Sequence, residues 1–461
     1  MAIIGGGPSG LAAAKAALES GMRPTVFERT EEIGGLWRQG SGAAWPGMAT
    51  NLSRYSCCFS DFPWPDDAPD FPRQPEVFNY LHRYADTFDL HPYLRLRCPI
   101  SRGDQVARFD AVIVASGIFA TPVVPALPGS FGGLSGHSSN YRGPEEFLKR
   151  RVAVVGMAFS GAEIAAELAS AGVPVTAVVS HPLWTLPRYR AHADGALLPW
   201  ELVAYTRSAQ HTRSLLTPAE ANRTLNHSYH ELGANPGLLD PRLWLDPHSP
   251  DPPHVVISDR LPGLIRSGQV TVEPGRALRL ERDHLVLDTG TEVSCDAIIW
   301  CTGYRPDLPL LSGSELAALA FDPHDLLQPL LLHKCTFHPA LPGMAFIGLY
   351  RGPFFGVIEL QARWSCAVLS GQLAPPTQEQ LRAGLEHELA IRRLWPRPQF
   401  PHGDYVGLAD SIASDLGVLP DVEALWDQPV IPAHYRLRGP GSKPELARRE
   451  ITSLLRRIRS S

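Results

Sequence analysis

Twice in this chain a short apolar run turns on glycines into an alanine-rich helix, and a unit of that kind leaves few folds to choose from. The first copy is Ala2-Ile-Ile-Gly5-Gly6-Gly7-Pro8-Ser9-Gly10, followed by a helical pattern from Leu11 to Ser20, a terminating Gly21 and a second strand, Pro24-Thr-Val-Phe-Glu28. The glycines let the backbone turn tightly and approach a pyrophosphate. The helix start offers amide donors and the positive end of its dipole, and Glu28 is placed to accept from ribose hydroxyls. G-x-G-x-x-G alone is weak evidence, but strand, helix, second strand and terminal acid at workable spacing make it strong. Ile33-Gly34-Gly35-Leu36-Trp37 is a further close-approach turn.

The second copy is Arg151-Val-Ala-Val-Val-Gly156-Met-Ala158-Phe-Ser160-Gly161, with a helix to Ala171, Gly172 and a strand from Val175 to Val179. Ala158 stands where the middle glycine belongs. The strand ends in Ser180-His181 with no carboxylate. An acid there would repel a ribose phosphate, so this exit leans toward NADPH over NADH, with Ser180, His181 and Arg188 as contacts. The predicted fold is therefore α/β, with two Rossmann-like dinucleotide-binding domains, the second inserted into the first.

Asp110-Ala-Val-Ile-Val-Ala-Ser-Gly117 is repeated far downstream as Asp296-Ala-Ile-Ile-Trp-Cys-Thr302-Gly303, and these are read as the points where the chain leaves and re-enters the first domain. Pro122, Pro125 and Pro128 mark a linker. The boundaries expected are 1–130 for the first part of the first domain, 131–150 for a linker, 151–295 for the second domain and 296–461 for the return and C-terminal region. Between Trp37 and Asp110 the chain is rich in proline and aromatics without helical or strand period, which suits a loop covering a site.

Composition excludes several classes. With 44% hydrophobic and 19% charged residues the chain is an ordinary globular one, and a net charge of −5 provides no basic field for nucleic acid. No apolar run reaches the ~20 residues of a membrane span, and Met1-Ala-Ile-Ile enters a strand pattern directly, so neither an anchor nor a signal peptide is expected. The C-terminal Leu454-Leu-Arg-Arg-Ile-Arg459 reads as a basic surface helix. Seven cysteines without a C-x-x-C pair fit a reducing, cytoplasmic setting. Adjacent Cys57-Cys58 would close a strained ring, so structural thiols are expected.

Two dinucleotide units in one chain suggest a hydride moving from nicotinamide to flavin. Between them lies Phe131-Gly-Gly133-Leu-Ser-Gly-His137-Ser-Ser-Asn-Tyr141, an F-x-G-x-x-x-H-x-x-x-Y pattern. With it stand Gly5 to Gly10, Gly35-Leu36-Trp37, Thr50-Asn51, Cys58 to Pro65, Cys301-Thr-Gly-Tyr304, Glu359-Leu-Gln-Ala-Arg-Trp364 and Tyr435-Arg-Leu-Arg-Gly-Pro-Gly441. On these residues the chain resembles the flavin-containing monooxygenases, the N- and S-oxygenating flavoproteins. Residues 190–255 resemble the substrate-passage insertion of animal-type members, with Asn226-His227 and Tyr229 in a similar run.

The resemblance implies FAD and NADPH as cofactors, molecular oxygen and a small amine or sulfide as substrates, and a flavin hydroperoxide shielded by retained NADP+; a homodimer is compatible with it. Asn51 is implied at the reacting face, because an amide donates and accepts without titrating. Cofactor contacts are implied for Gly5, Gly6, Gly7, Pro8, Ser9, Gly10, Glu28, Gly35, Leu36, Trp37, Thr50, Asn51 and Leu52 on the first unit. On the second they are Gly156, Ala158, Ser160, Gly161, Ala162, Glu163, Ser180 and His181, with His137, Thr302, Gly303 and Gln361 from the rest of the chain. No metal is expected. The stretch from Leu94 to Phe109 is shorter than the family pattern, the arginine that usually follows Ser180 is missing, and the hydrophobic C-terminal anchor of membrane-bound members is absent. A Baeyer-Villiger monooxygenase is the nearest alternative, although those enzymes end a similar motif in Trp followed by Pro or Asp, where this chain has Tyr141-Arg142. A redox protein that binds the cofactors without oxygenating is the third reading.

Overall fold

Each glycine-rich copy builds a five-stranded parallel sheet; four strands follow one order in both, and the edge strand beside them comes last in the chain in the first sheet and first in the second. A computed structural model describes residues 1–40, 43–191 and 197–460. In the first sheet the order is Met344–Phe346, Val112–Val114, Ala2–Ile4, Thr25–Phe27, Leu94–Arg95. In the second it is Leu134–His137, Ala297–Trp300, Val152–Val155, Val175–Val179, Val270–Pro274. All pairings within both sheets are parallel. The central strands Ala2–Ile4, Val112–Val114, Val152–Val155 and Ala297–Trp300 are nearly continuous Val, Ile and Ala because both faces are covered.

Helices cover these faces. Pro8–Glu19 starts with Pro8 in its first turn, where a missing N–H costs nothing. Its Ala13, Ala16 and Ala17 are buried in the same core as the helix Phe355–Leu369, and the Cys366 thiol reaches the Ala13 carbonyl. A three-stranded antiparallel sheet, Ala277–Leu280, His284–Leu287 and Glu292–Ser294, closes the second sheet by packing Leu285, Leu287 and Val293 on Ala153, Val178 and Ile298.

Three expectations change. Asp296 was to open the return to the first domain, yet Ala297–Trp300 pairs with Val152–Val155 and Leu134–His137 in the second sheet. The reason lies in the glycine loops. A Cβ on Gly5 would stand 2.4 Å from the Ala115 carbonyl oxygen, and one on Gly156 would stand 2.7 Å from that of Cys301. The two Asp-Ala-(Val/Ile)-Ile runs are thus equivalent strands, each packed on its own glycine loop. Second, the motif segment within 131–150 is no mere linker, since Leu134–His137 is an edge strand of the second sheet. The crossings between units run side by side, with Thr121–Pro122 paired antiparallel to Tyr304–Arg305. Third, the proline-rich stretch contains the helix Gln74–Thr87, which buries Val77, Phe78, Tyr80, Leu81 and Tyr84.

The shortened stretch keeps its place in the sheet. The strand Leu94–Arg95 passes beside Glu28, whose amide donates to the Arg95 carbonyl at 3.0 Å and whose carbonyl accepts from Cys98 N at 2.8 Å. The described residues of the 190–255 segment include the helices Trp200–Ala204, Arg207–Ser214 and Pro218–Tyr229. Tyr229 is buried with Trp184 and Ile257, whereas His227 is exposed. The C-terminal helix Pro444–Ser460 packs Ala447 and Leu454 on Leu202 and Ile431. Among the described residues no helix is long and apolar enough to cross a membrane.

Candidate functional site

The first cradle is made where two loops meet. Gly34 N donates to the Gly6 carbonyl at 2.9 Å, and a Cβ on Gly35, at φ +58, would lie 3.0 Å from Gly7 Cα. A Cβ on Gly10 would fall 1.8 Å from the Gly5 oxygen, so only glycine admits this turn. The Glu28 carboxylate accepts from Gly6 N at 2.7 Å and from Thr30 N and Oγ1 at 3.0 and 2.7 Å, which fixes it at the rim. Ser9 is buried, and a Cβ on Gly348 would meet its Oγ at 2.5 Å. These features suit a pyrophosphate and ribose.

The second cradle repeats the geometry, with a Cβ on Gly161 falling 1.8 Å from the Gly156 oxygen and Ala158 capping the helix Phe159–Ser170 from an extended conformation. Ser160 and Ala162 lie in its first turns. At the strand exit Ser180 and His181 are exposed. The missing arginine has a neighbour in its place: Arg276, following the adjacent strand, brings its guanidinium to 3.1 Å from His181 Nε2.

Several expected contacts hold protein instead. Gln361 is fully buried; its Oε1 accepts from Gly348 N at 3.1 Å and its Nε2 donates to the Cys335 carbonyl and Thr336 Oγ1, so it sets the Gly348 turn rather than reaching a cofactor. Glu163 is buried with its carboxylate on Arg188 at 3.2 Å. Arg188, expected at the phosphate, is spent on Glu163, on Asp259 at 3.0 Å and on the Thr50 carbonyl at 3.1 Å. Thr302 Oγ1 donates to the Val123 carbonyl, and the Gly303 carbonyl accepts from Val123 N and from His137, so both clasp the crossing.

His137 is a neutral clasp. Ser139 N donates to its Nδ1 at 3.1 Å, which leaves Nε2 to carry the proton toward the Gly303 oxygen at 3.0 Å. Burial lowers its pKa, the Gly303 bond opposing. Gly133 permits close approach to the Asp296 carbonyl, and Tyr141 packs edge-on against Trp45 at 5.6 Å. Distant motif pieces meet in a buried ion-pair core. Arg436 reaches Glu359 at 2.8 Å and Asp61 at 3.4 Å, and Lys15 and Lys443 also close on Asp61. Burial would push the Asp61 carboxyl up, but Arg436 and Lys15 outweigh it and hold it well below the usual range.

The Thr50-Asn51-Leu52 segment lies where the two units touch. Thr50 is buried, and its Oγ1 has no hydrogen-bond partner among the described residues. Asn51 and Leu52 are half-buried, and the Asn51 side chain is uncommitted among the described residues. Trp45 Nε1 crosses to Glu167 of the second unit at 2.5 Å. Ser53 N donates at 2.6 Å to Glu201, a fully buried carboxylate that sequence reasoning missed. Its signal was an acid inside the apolar Leu-Leu-Pro-Trp-Glu-Leu-Val run. All seven cysteines are free, and burial pushes the Cys57 thiol up to about 12.

Comparison with known proteins agrees with this architecture. The flavin-binding monooxygenase-like family model matches residues 1–105 and 100–461, and its two pieces meet inside the shortened stretch. Flavin-containing monooxygenase 5 of Cavia porcellus is 30% identical, covering 100% of this chain and 92% of that protein. Dimethylaniline monooxygenase [N-oxide-forming] 2 of Rattus norvegicus is 31% identical, covering 99% and 92%. Among solved structures, S-allyl-L-cysteine S-oxygenase from Allium sativum superposes with a TM-score of 0.59 at 22% identity over 90% of this chain and 88% of that one. Cyclohexanone monooxygenase from Rhodococcus sp. Phi1 bound to NADP+ superposes at 0.67 and 16%, over 90% and 97%. Such distant likenesses show the shared fold, which does not separate the two chemistries. The family match spans both cradles and the clasp between them, and the chain belongs to the flavin-binding monooxygenase-like family.

Proposed function

We propose that the first unit holds FAD, that the second, residues 151–295 together with the strand to Trp300, holds NADPH, and that the enzyme oxygenates a soft nitrogen or sulfur nucleophile. The Arg188 bonds to the Thr50 carbonyl of the first unit and to Glu163 of the second carry this reading, because they tie the residue before Asn51 to the helix that opens at the second cradle. The relative named for N-oxide formation supports the choice of nucleophile. Bound FAD would accept a hydride from NADPH and activate oxygen.

The chain's own residues bind, orient and exclude water. Gly5 to Gly10 and Gly35 would cradle the flavin nucleotide's pyrophosphate, and Glu28 would meet its ribose. The Thr50 hydroxyl, without a hydrogen-bond partner among the described residues, and the Asn51 amide would be the donors and acceptors at the reacting face. Neither titrates near neutrality, which suits a site that must keep a proton in place rather than relay it. Ser180, His181 and Arg276 form a cationic and hydroxyl rim fit for a ribose phosphate. The seven unpaired thiols favour a cytoplasmic setting.

Replacing Asn51 with Ala tests the reading. Flavin should stay bound and reducible by NADPH while oxygen is diverted to hydrogen peroxide. An unchanged yield of sulfoxide from thioanisole would remove Asn51 from the mechanism. Lactone formed from a cyclic ketone in preference to sulfoxide would return the Baeyer-Villiger reading.

A further inference from the structure

The short loop that carries Asn51 is held from both ends by an arm of the second unit. On one side Arg188 Nε donates to the Thr50 carbonyl at 3.1 Å, and on the other Ser53 N donates to Glu201 Oε1 at 2.6 Å. Between these points the amides of Asn51 and Leu52 make no hydrogen bond among the described residues. The first unit holds the flanks, through Thr50 N to the Pro72 carbonyl at 2.9 Å and Arg54 N to the Asp70 carbonyl at 2.7 Å, and packs the Leu52 side chain on its core.

Both holding side chains are buried, Arg188 at 7% exposure and Glu201 at 1%. Arg188 is itself fixed, since Nη1 pairs with Asp259 at 3.0 Å and Nη2 with Glu163 at 3.2 Å. Glu163 sits on the helix Phe159–Ser170, which opens at the second cradle. A guanidinium can make these three contacts at once, whereas an ammonium lacks the planar fork. Glu201 lies in the first turn of the short helix Trp200–Ala204, which the C-terminal core braces through Leu202. A route of direct contacts therefore runs from the second cradle through Glu163 and Arg188 to the residue before Asn51.

We propose that Arg188 and Glu201 are positioning residues for Asn51, so that the reacting face is assembled by the arm of the NADPH unit rather than by the FAD unit alone. The proposal rests on Asn51 acting at that face. It also assigns a role to the start of the insertion, which supplies part of the frame of the site as well as a passage.

The test uses the FAD-loaded enzyme with NADPH and thioanisole, reading sulfoxide and hydrogen peroxide per NADPH, and hydrogen exchange of residues 50–56 in the flavin-free chain. Glu201→Ala should lower sulfoxide per NADPH by about tenfold and speed exchange in that loop, because small misplacements at a reacting face are costly. Glu201→Gln, whose side-chain oxygen still accepts from Ser53, should restore both. Arg188→Lys should behave as Glu201→Ala does, and it carries the test if Glu201→Ala does not fold. Adding Glu201→Ala to Asn51→Ala should lower the yield no further, as expected of a residue acting through Asn51. If Asn51→Ala uncouples but Glu201→Ala and Arg188→Lys do not, the positioning role is overturned and the Asn51 reading stands. If Asn51→Ala leaves the yield unchanged, the Asn51 reading fails and this role falls with it.

Discussion

Replacing Glu201 with Gln keeps an acceptor for the Ser53 amide and removes a buried titration. Burial pushes the Glu201 carboxyl up to about 7 from an ordinary 4.5, against the Ser53 bonds that favour its ionised form. Between those values the unfolded chain has released the proton while the folded chain still binds it. Wild-type stability therefore falls as pH rises through that window, and the full penalty is present above about 7. An offset of this size corresponds to about 3 kcal/mol. The Cys57 thiol beside it, held near 12, stays neutral throughout and does not compete, while Asp70 helps to raise Glu201. Urea unfolding of both proteins from pH 4.5 to 8, followed by tryptophan fluorescence, should show the variant gaining about 3 kcal/mol relative to wild type. A difference independent of pH would mean that water reaches the carboxyl, and the claim that the arm seals this loop would fall.

Other substitutions probe the cradles and the core. Glu28→Lys places a cation against Gly6 N and the ribose position, so the purified variant should carry no flavin; a fully yellow preparation would refute the rim assignment. Arg276→Ala should weaken binding of 2′,5′-ADP by about 10-fold or more while leaving 5′-AMP little changed, as titration calorimetry would read, because a charge-assisted contact to phosphate is lost. Arg436→Ala strips a buried partner from Glu359 and Asp61 and should cost about 3–5 kcal/mol in denaturant unfolding.

What the sequence made legible was what is local. Gly5, Gly10, Gly156 and Gly161 are demanded by contacts within their own turns, so their spacing announces the cradles without reference to the rest of the chain. Sheet membership is not local: four residues such as Ala297–Trp300 can pair in either unit, and only the carbonyl packed on Gly156 decides it. The repeat with Asp110 held that information, because equivalent strands in two copies of one fold must sit at equivalent places. The helix Gln74–Thr87 was legible too, in the helical spacing of Val77, Leu81, Tyr84 and Ala85, but the prolines before it obscured the period. Residues implied by the resemblance misled in a different way. Gln361 and Glu163, implied as cofactor contacts, turn inward onto protein, as Arg436 of the C-terminal motif does, which shows that such a residue can mark the frame that aims a site rather than the site itself. Arg188 and Glu201 could not have been found by motif at all. Each is one charged side chain whose meaning depends on a partner more than a hundred residues away, and only the docking of two units makes Thr50 and Ser53 their neighbours.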